Sequence, residues 1–224
     1  MNMINKYYFI NKFDTNIIDK QDKQTAVIYR NYKSKIMDKL LILRIKKYCK
    51  FRKVKFYLSN DIKLAIKLNL DGAYIPSFNK STQHLAFSLK KNFKIIGSAH
   101  NIKEINIKLN QGCAEIFLSP VFKIKNRYLG LYGLINIMKY NPKKTIALGG
   151  INQKNIKFLK IFNLDGFAAI DYFDKKKAPK KLGALIKLTN QMIRMQMKQR
   201  FSILHLHLMH QLCDQYLQLR LKQQ

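Results

Sequence analysis

The sequence predicts a (β/α)8 barrel, and three observations carry that prediction. Short apolar segments recur between Tyr7 and Ile170, helical patterns fill most of the gaps, and the stretch Thr145 to Ile170 displays the whole repeat at once. In that stretch TIAL is a strand apolar enough to be buried on both faces, and Gly149-Gly150 stand where it ends. Asn152 supplies an N-cap for a helix through Phe162, and Asp165-Gly166 turns the chain into FAAI, a second buried strand. Strands that alternate with helices imply a parallel sheet. Eight such units close into a compact barrel; an open doubly wound sheet is the alternative.

The strands are expected, in order, at Tyr7–Ile10, Thr25–Tyr29, Val54–Leu58, Gly72–Ile75, Lys94–Gly97, Glu115–Leu118, Thr145–Leu148 and Gly166–Ile170. The clearest helix runs from Ser34 to Cys49, with Ile36, Met37, Leu40, Leu41, Leu43 and Ile45 as its apolar positions. Further helices are expected over Asp61–Leu68 and Ile102–Leu109, with Gly112 as the C-cap of the second. Ala178 to Asn190 suits a last barrel helix, which sets the barrel at residues 1–190 and an extension at 191–224. From Lys175 onward there are eleven basic residues and one acid, Asp214. His205, His207 and His210 lie close together there, but their neighbours complete no convincing metal set. An appended helix, or an out-of-frame read, accounts for the extension better.

Composition narrows the class. A chain of 224 residues with 47% hydrophobic content can bury one sizeable core. No apolar run approaches membrane-span length and the N-terminus lacks the apolar region of a signal peptide, so a cytoplasmic location is the expectation. Cys49, Cys113 and Cys213 are too far apart to suggest a disulfide framework or a zinc motif. The formal charge is +31, from 43 Lys+Arg against 12 Asp+Glu. The lysines are scattered and accompany many Asn and Ile residues, as an AT-rich coding sequence would produce. That scatter counts against nucleic acid as a partner, and a phosphorylated small substrate is a milder use of the same charge. A homo-oligomer is left open.

In a barrel of this kind, functional groups follow the strands at the C-terminal face. Those positions hold Arg30, Asn31 and Tyr32 after the second strand, and Ser59, Asn60 and Asp61 after the third. Pro76, Ser77 and Asn79 follow the fourth; Ser98, Ala99 and His100 follow the fifth. Lys123, Lys125 and Arg127 follow the sixth, Gly149-Gly150 the seventh and Asp171 the eighth. Cations, hydroxyls, an amide and a carboxylate on one mouth suit an anionic phosphorylated ligand with Mg²⁺. A glycine pair lets backbone N–H groups approach a phosphate. Each residue also has a plainer reading: an ordinary tight turn for the glycines, helix N-caps for Asp61 and Ser98, and a solvated loop residue for His100.

The segments SND (Ser59–Asp61), DGAYI (Asp71–Ile75), IIGSAHN (Ile95–Asn101), SPVF (Ser119–Phe122), ALGGIN (Ala147–Asn152) and DGFAAI (Asp165–Ile170), in this order and spacing, resemble the thiamine phosphate synthase/TenI family over Tyr7 to Tyr172. The resemblance implies a (β/α)8 fold and a transferase that joins an aminopyrimidine diphosphate to a thiazole phosphate with release of pyrophosphate. It further implies that Asp61 and Asn79 hold Mg²⁺, that Asn60 contacts the diphosphate or pyrimidine, and that Arg30, Ser98 and Arg127 act on the diphosphate. Gly149, Gly150 and the turn after Ile170 would hold the thiazole phosphate. The chain departs from the synthase pattern in several places. Ile28 and Tyr32 replace the glutamine and lysine that flank the family arginine, and Asn79 replaces an acid. Lys123, Ile124, Lys125 and Asn126 replace a threonine-rich turn, and Asp171 replaces a phosphate-cup serine. Two other functions follow from the same resemblance: a TenI-like thiazole tautomerase, whose histidine position is here Pro120, and a non-catalytic barrel that binds thiazole or thiamine phosphate.

Overall fold

A computed structural model of the chain describes residues 5–32, 38–122, 128–159, 161–162 and 164–169. Within them, eight parallel strands close into a barrel in sequence order, β1 to β8, with β8 paired back to β1. They are β1 (Asn5–Ile10), β2 (Thr25–Tyr29), β3 (Phe56–Ser59), β4 (Gly72–Ile75), β5 (Lys94–Ala99), β6 (Glu115–Leu118), β7 (Lys144–Leu148) and β8 (Gly166–Ala168). The predicted strands are all present, with ends shifted by up to two residues.

The strands bury two faces, which is why they read as apolar runs rather than alternating ones. One layer fills the barrel interior: Tyr7, Phe9, Ala26, Ile28, Tyr57, Tyr74, Ile96, Phe117, Ile146 and Ala168. Its rings meet edge-on or tilted, with Tyr7–Phe117 centroids 4.9 Å apart and Phe9–Tyr74 5.3 Å apart. Gly72 makes room for this plug, since a Cβ there would lie 2.6 Å from the Tyr57 ring. The other layer lies between sheet and helices, where Tyr8, Ile10, Val27, Leu58 and Ile116 meet Ile42, Ile45 and Ile105.

The helices start at the C-terminal end of the strands, and the first four are set by capping side chains. They are α1 (Thr15–Asp19), α2 (Lys39–Phe51), α3 (Ile62–Lys67), α4 (Ile102–Asn110), α5 (Gly130–Met138) and α6 (Ile156–Leu159). Asp38 caps α2 by accepting from the Leu40 and Leu41 N–H groups, so the described helix begins later than the expected Ser34 and runs on to Phe51. Residues 33–37 lie outside the described residues. Gly112, at φ +69°, ends α4 as its glycine suggested, with its N–H on Leu109 O. The expected helix through Phe162 is shorter: Asn152 Oδ1 accepts from Lys154 and Asn155 N–H in a turn, and α6 covers only Ile156–Leu159. A 3-10 turn at Gln83–Ala86 stands between β4 and β5. The expected last helix and the 191–224 extension, with its histidines, lie outside the described residues.

Candidate active site at the barrel mouth

The C-terminal ends of the strands surround a cavity of about 370 Å³ whose walls include Phe9, Arg30, His100, Gly149 and Gly150. Leu148, Ile151, Ala168 and Ala169 make much of the rest of its wall apolar.

Arg30 is fixed by its surroundings. Its backbone N–H bonds Ile10 O at 2.8 Å, and its guanidinium lies 4.8 Å from the Phe9 ring centroid and 5.9 Å from that of Tyr32. Stacking on aromatic faces holds the guanidinium while leaving its N–H fork available to an anion. Tyr32 donates to or accepts from Ser59 Oγ at 2.9 Å and meets Phe78 edge-on at 5.4 Å. Burial raises its phenol pKa, against the bond to Ser59 and the nearby Arg30 charge.

The Gly149-Gly150 turn is more than an ordinary tight turn. Both residues have positive φ, +94° and +68°, and a Cβ on Gly150 would lie 2.8 Å from Phe122 O. The turn is pinned through its carbonyls, by Phe122 N–H on Gly149 O and Asn155 Nδ2 on Gly150 O. Neither glycine N–H has a protein acceptor among the described residues. A pinned turn with two unspent N–H groups is a nest for an anion.

Asp61 does serve as the N-cap of α3, its Oδ1 accepting from Leu64 N–H at 2.9 Å. The second carboxylate oxygen has no hydrogen bond among the described residues, so capping and ligand binding are compatible. Asn60 sits beside it at φ +66° with Oδ1 accepting from Asn79 Nδ2 at 2.8 Å. Asn79 Oδ1 in turn accepts from Ser81 N–H, which ties up the oxygen expected to meet a metal. The loop carrying Ser77 and Asn79 is held from below by Lys108. That buried ammonium donates to Pro76 O, Asn79 O and Gln111 Oε1 at 2.7–2.9 Å, and burial pushes its pKa down to about 8.

Ser98 is not a helix cap. It is buried at the end of β5, next to β4, which carries the interior Tyr74. The cap of α4 is Asn101, in a reciprocal box with Glu104, which also accepts the His100 N–H. His100 is exposed at the bend after β5, but its ring is held: its Nε2 lies 3.0 Å from Ser77 Oγ and its Nδ1 2.7 Å from Ser119 O, bridging the ends of β4 and β6. With Nδ1 donating to that carbonyl, the neutral ring accepts from Ser77 at Nε2. The sequence showed His100 after a strand; only the fold shows the ring in the cavity wall. Arg127, Ile170 and Asp171, with Lys123 and Lys125, lie outside the described residues.

Fold and site together define a (β/α)8 barrel with its polar, chemistry-bearing groups gathered on the C-terminal mouth. The family model described as thiamine monophosphate synthase matches residues 17–173, and the chain belongs to that family. The thiamine-phosphate synthase of Pelagibacter ubique is 31% identical over 193 residues, spanning 82% of this chain and 92% of that one. That of Lactococcus lactis subsp. cremoris strain MG1363 is 23% identical over 187 residues, 81% and 84% of the two chains. The thiamine phosphate pyrophosphorylase of Pyrococcus furiosus shares the fold, with a TM-score of 0.61 and 19% identity over 77% of this chain and 91% of that one. Among the described residues no helix is long and apolar enough to cross a membrane.

Proposed function

We propose that the chain is a divergent thiamine phosphate synthase, a transferase that couples an aminopyrimidine diphosphate to a thiazole phosphate and releases pyrophosphate. The observation that carries this reading is that one cavity holds two separate anion-recognising features, the stacked Arg30 and the Gly149-Gly150 turn, as a reaction between two phosphorylated substrates requires.

The diphosphate leaves as a pyrimidine-methyl cation forms, and the thiazole nitrogen captures that cation. Arg30 meets the charge that develops on the leaving group, beside an apolar wall that strengthens the attraction. Ser98 and Asn60 offer further hydrogen bonds to it, and Arg127 a second cation. Gly149 and Gly150 hold the thiazole phosphate through their N–H groups, helped by Ile170 and the residues after it, so that its ring nitrogen faces the cation. The apolar stretch Leu148, Ile151, Ala168 and Ala169 keeps water from capturing the cation first.

The donor set fits a Mg²⁺ that arrives with the diphosphate, not one caged by protein: Asp61 brings one oxygen unspent on hydrogen bonds, and Mg²⁺ ordinarily takes one or two carboxylates plus substrate phosphates. When bound, the ion would neutralise leaving-group charge. Asn79 would join only after giving up its bond to Ser81 N–H.

The test is a coupling assay with both substrates and Mg²⁺, following thiamine phosphate. Product that disappears with chelator is the expected result. No product, with a melting shift on adding thiazole phosphate alone, would reject the synthase and leave a binder or tautomerase. The tautomerase has one observation in its favour, the His100 ring in the cavity wall. It requires turnover in chelator that His100→Gln removes.

A further inference from the structure

We propose that the N-terminal end of the barrel, opposite the mouth, binds the phosphate backbone of a nucleic acid. A cavity of about 690 Å³ opens there, almost twice the volume of the one at the mouth. The last turn of α2 and the segments leading into β3, β4 and β5 form its walls. A smaller cavity of about 190 Å³ adjoins it, sharing Lys53 and Lys55 and adding Lys23.

The charge of this end is unbalanced because lysines outnumber carboxylates in the walls of both cavities, Asp71 being the one carboxylate among their described residues, and the nearby carboxylates are held in contacts of their own. Asp22 binds Lys6 and Thr25, and Glu115 binds Lys94 and Tyr7. Asp71 and Asp165 accept the backbone N–H groups of Phe56 and Thr145, each at 2.8 Å. Lys46 and Lys90 reach neutral oxygens, Leu68 O and Asn69 Oδ1. That leaves Lys23, Lys50, Lys53, Lys55 and Lys91 exposed and without a carboxylate partner among the described residues. A helix C-terminus explains Lys50, in the last turn of α2, but the other four stand outside helices. In the sequence these lysines are dispersed; the barrel brings them to one end because every strand enters there.

The chemistry identifies the partner. Lysines supplied by separate strand entrances match a row of phosphates rather than one. They are point charges without the fork that reads base edges, so recognition is of the backbone and independent of sequence.

The test is fluorescence anisotropy of the full chain with a labelled oligouridine of roughly twenty nucleotides, over a salt series. Replacing Lys50→Gln, Lys53→Gln, Lys55→Gln and Lys91→Gln together should weaken binding at least about tenfold and flatten the log affinity–log salt slope by roughly 2–3. The control removes the same charge near the helix starts or outside this end, with Lys39→Gln, Lys63→Gln, Lys103→Gln and Lys157→Gln, and should cost less than about threefold. No binding by the parent chain, equal losses in the two variants, or full affinity in the first would each overturn the proposal. All eight side chains are exposed, so melting curves of both variants should match the parent. The four lysines of the first variant all lie at the end opposite the mouth, so this outcome and that of the coupling assay are separate.

Discussion

The two ends of the barrel spend their polar groups differently. At the N-terminal end the buried polar groups and the carboxylates are bound within the protein, and only surface lysines are left over: Glu115, 0% exposed, takes bonds from Lys94 and the Tyr7 hydroxyl, and Asn141 Nδ2 bonds Thr145 Oγ1. Asp71 and Asp165 tie the strand entrances to their neighbours. At the mouth, two glycine N–H groups and one oxygen of Asp61 have no protein partner among the described residues, while Arg30 is held by rings rather than a counter-ion. Groups satisfied by the protein stabilise it, whereas groups left unsatisfied but held in place are available to a ligand. The same residue types therefore mean stability at one end and chemistry at the other.

The sharpest way to break this contrast is to remove one charge from each end. Arg30→Ala should lower the coupling rate by about 10²–10³ and leave the melting temperature close to the parent value. Glu115→Ala should do the reverse, costing about 3 kcal/mol and roughly 6–12 °C of melting temperature, with kcat of the folded fraction little changed. If Arg30→Ala unfolds the chain, or Glu115→Ala selectively abolishes catalysis, the division of labour fails.

A second comparison separates two roles within one residue. Asp61→Asn keeps a good N-cap and should hold stability within about 0.5 kcal/mol while coupling falls by about 10². Asp61→Ala should lose the same activity and about 1 kcal/mol besides. Normal turnover by either variant would remove Asp61 from the metal and substrate site.

The last comparison, confined to alkaline pH and absent below it, concerns Lys108, between the two ends in character: buried and satisfied, yet supporting a mouth loop. Its folded pKa, about 8, lies below the ordinary 10.5, so the unfolded chain holds this proton more tightly. Its stability contribution is complete above about 10.5 and is lost as the pH falls to about 8. Denaturant midpoints should therefore show the parent gaining on Lys108→Met by up to about 3 kcal/mol between these pH values. A constant difference would mean that the three carbonyl oxygens keep the ammonium at its ordinary strength.

Much of this fold was legible in the chain because strands buried on two faces leave unbroken apolar runs, as TAVIY and EIFL do. Element ends were less legible where a polar cap decides them: Asp38 starts α2 after two apolar residues, Ile36 and Met37, that share its period, and Asn152 makes a turn before α6. At the mouth, Arg30, Asp61 and the glycine pair could be picked out by their place after strands. The bridge His100 makes from Ser77 to Ser119 and the support Lys108 gives to Asn79 could not. Each joins residues from different strands or loops, and their distance in space depends on closure of the barrel.

The ring plug inside the barrel sets a depth limit. Phe9, Tyr74 and Phe117 fill the space beneath the mouth, so it is a shallow dish with a hydrocarbon floor. A ligand cannot be recognised by sinking into such a barrel; it must lie across it. Selectivity then belongs to the rim, where Tyr32 and Phe78 stand 46% and 62% exposed, and a change of substrate could evolve by rewriting rim connections without disturbing a single floor residue.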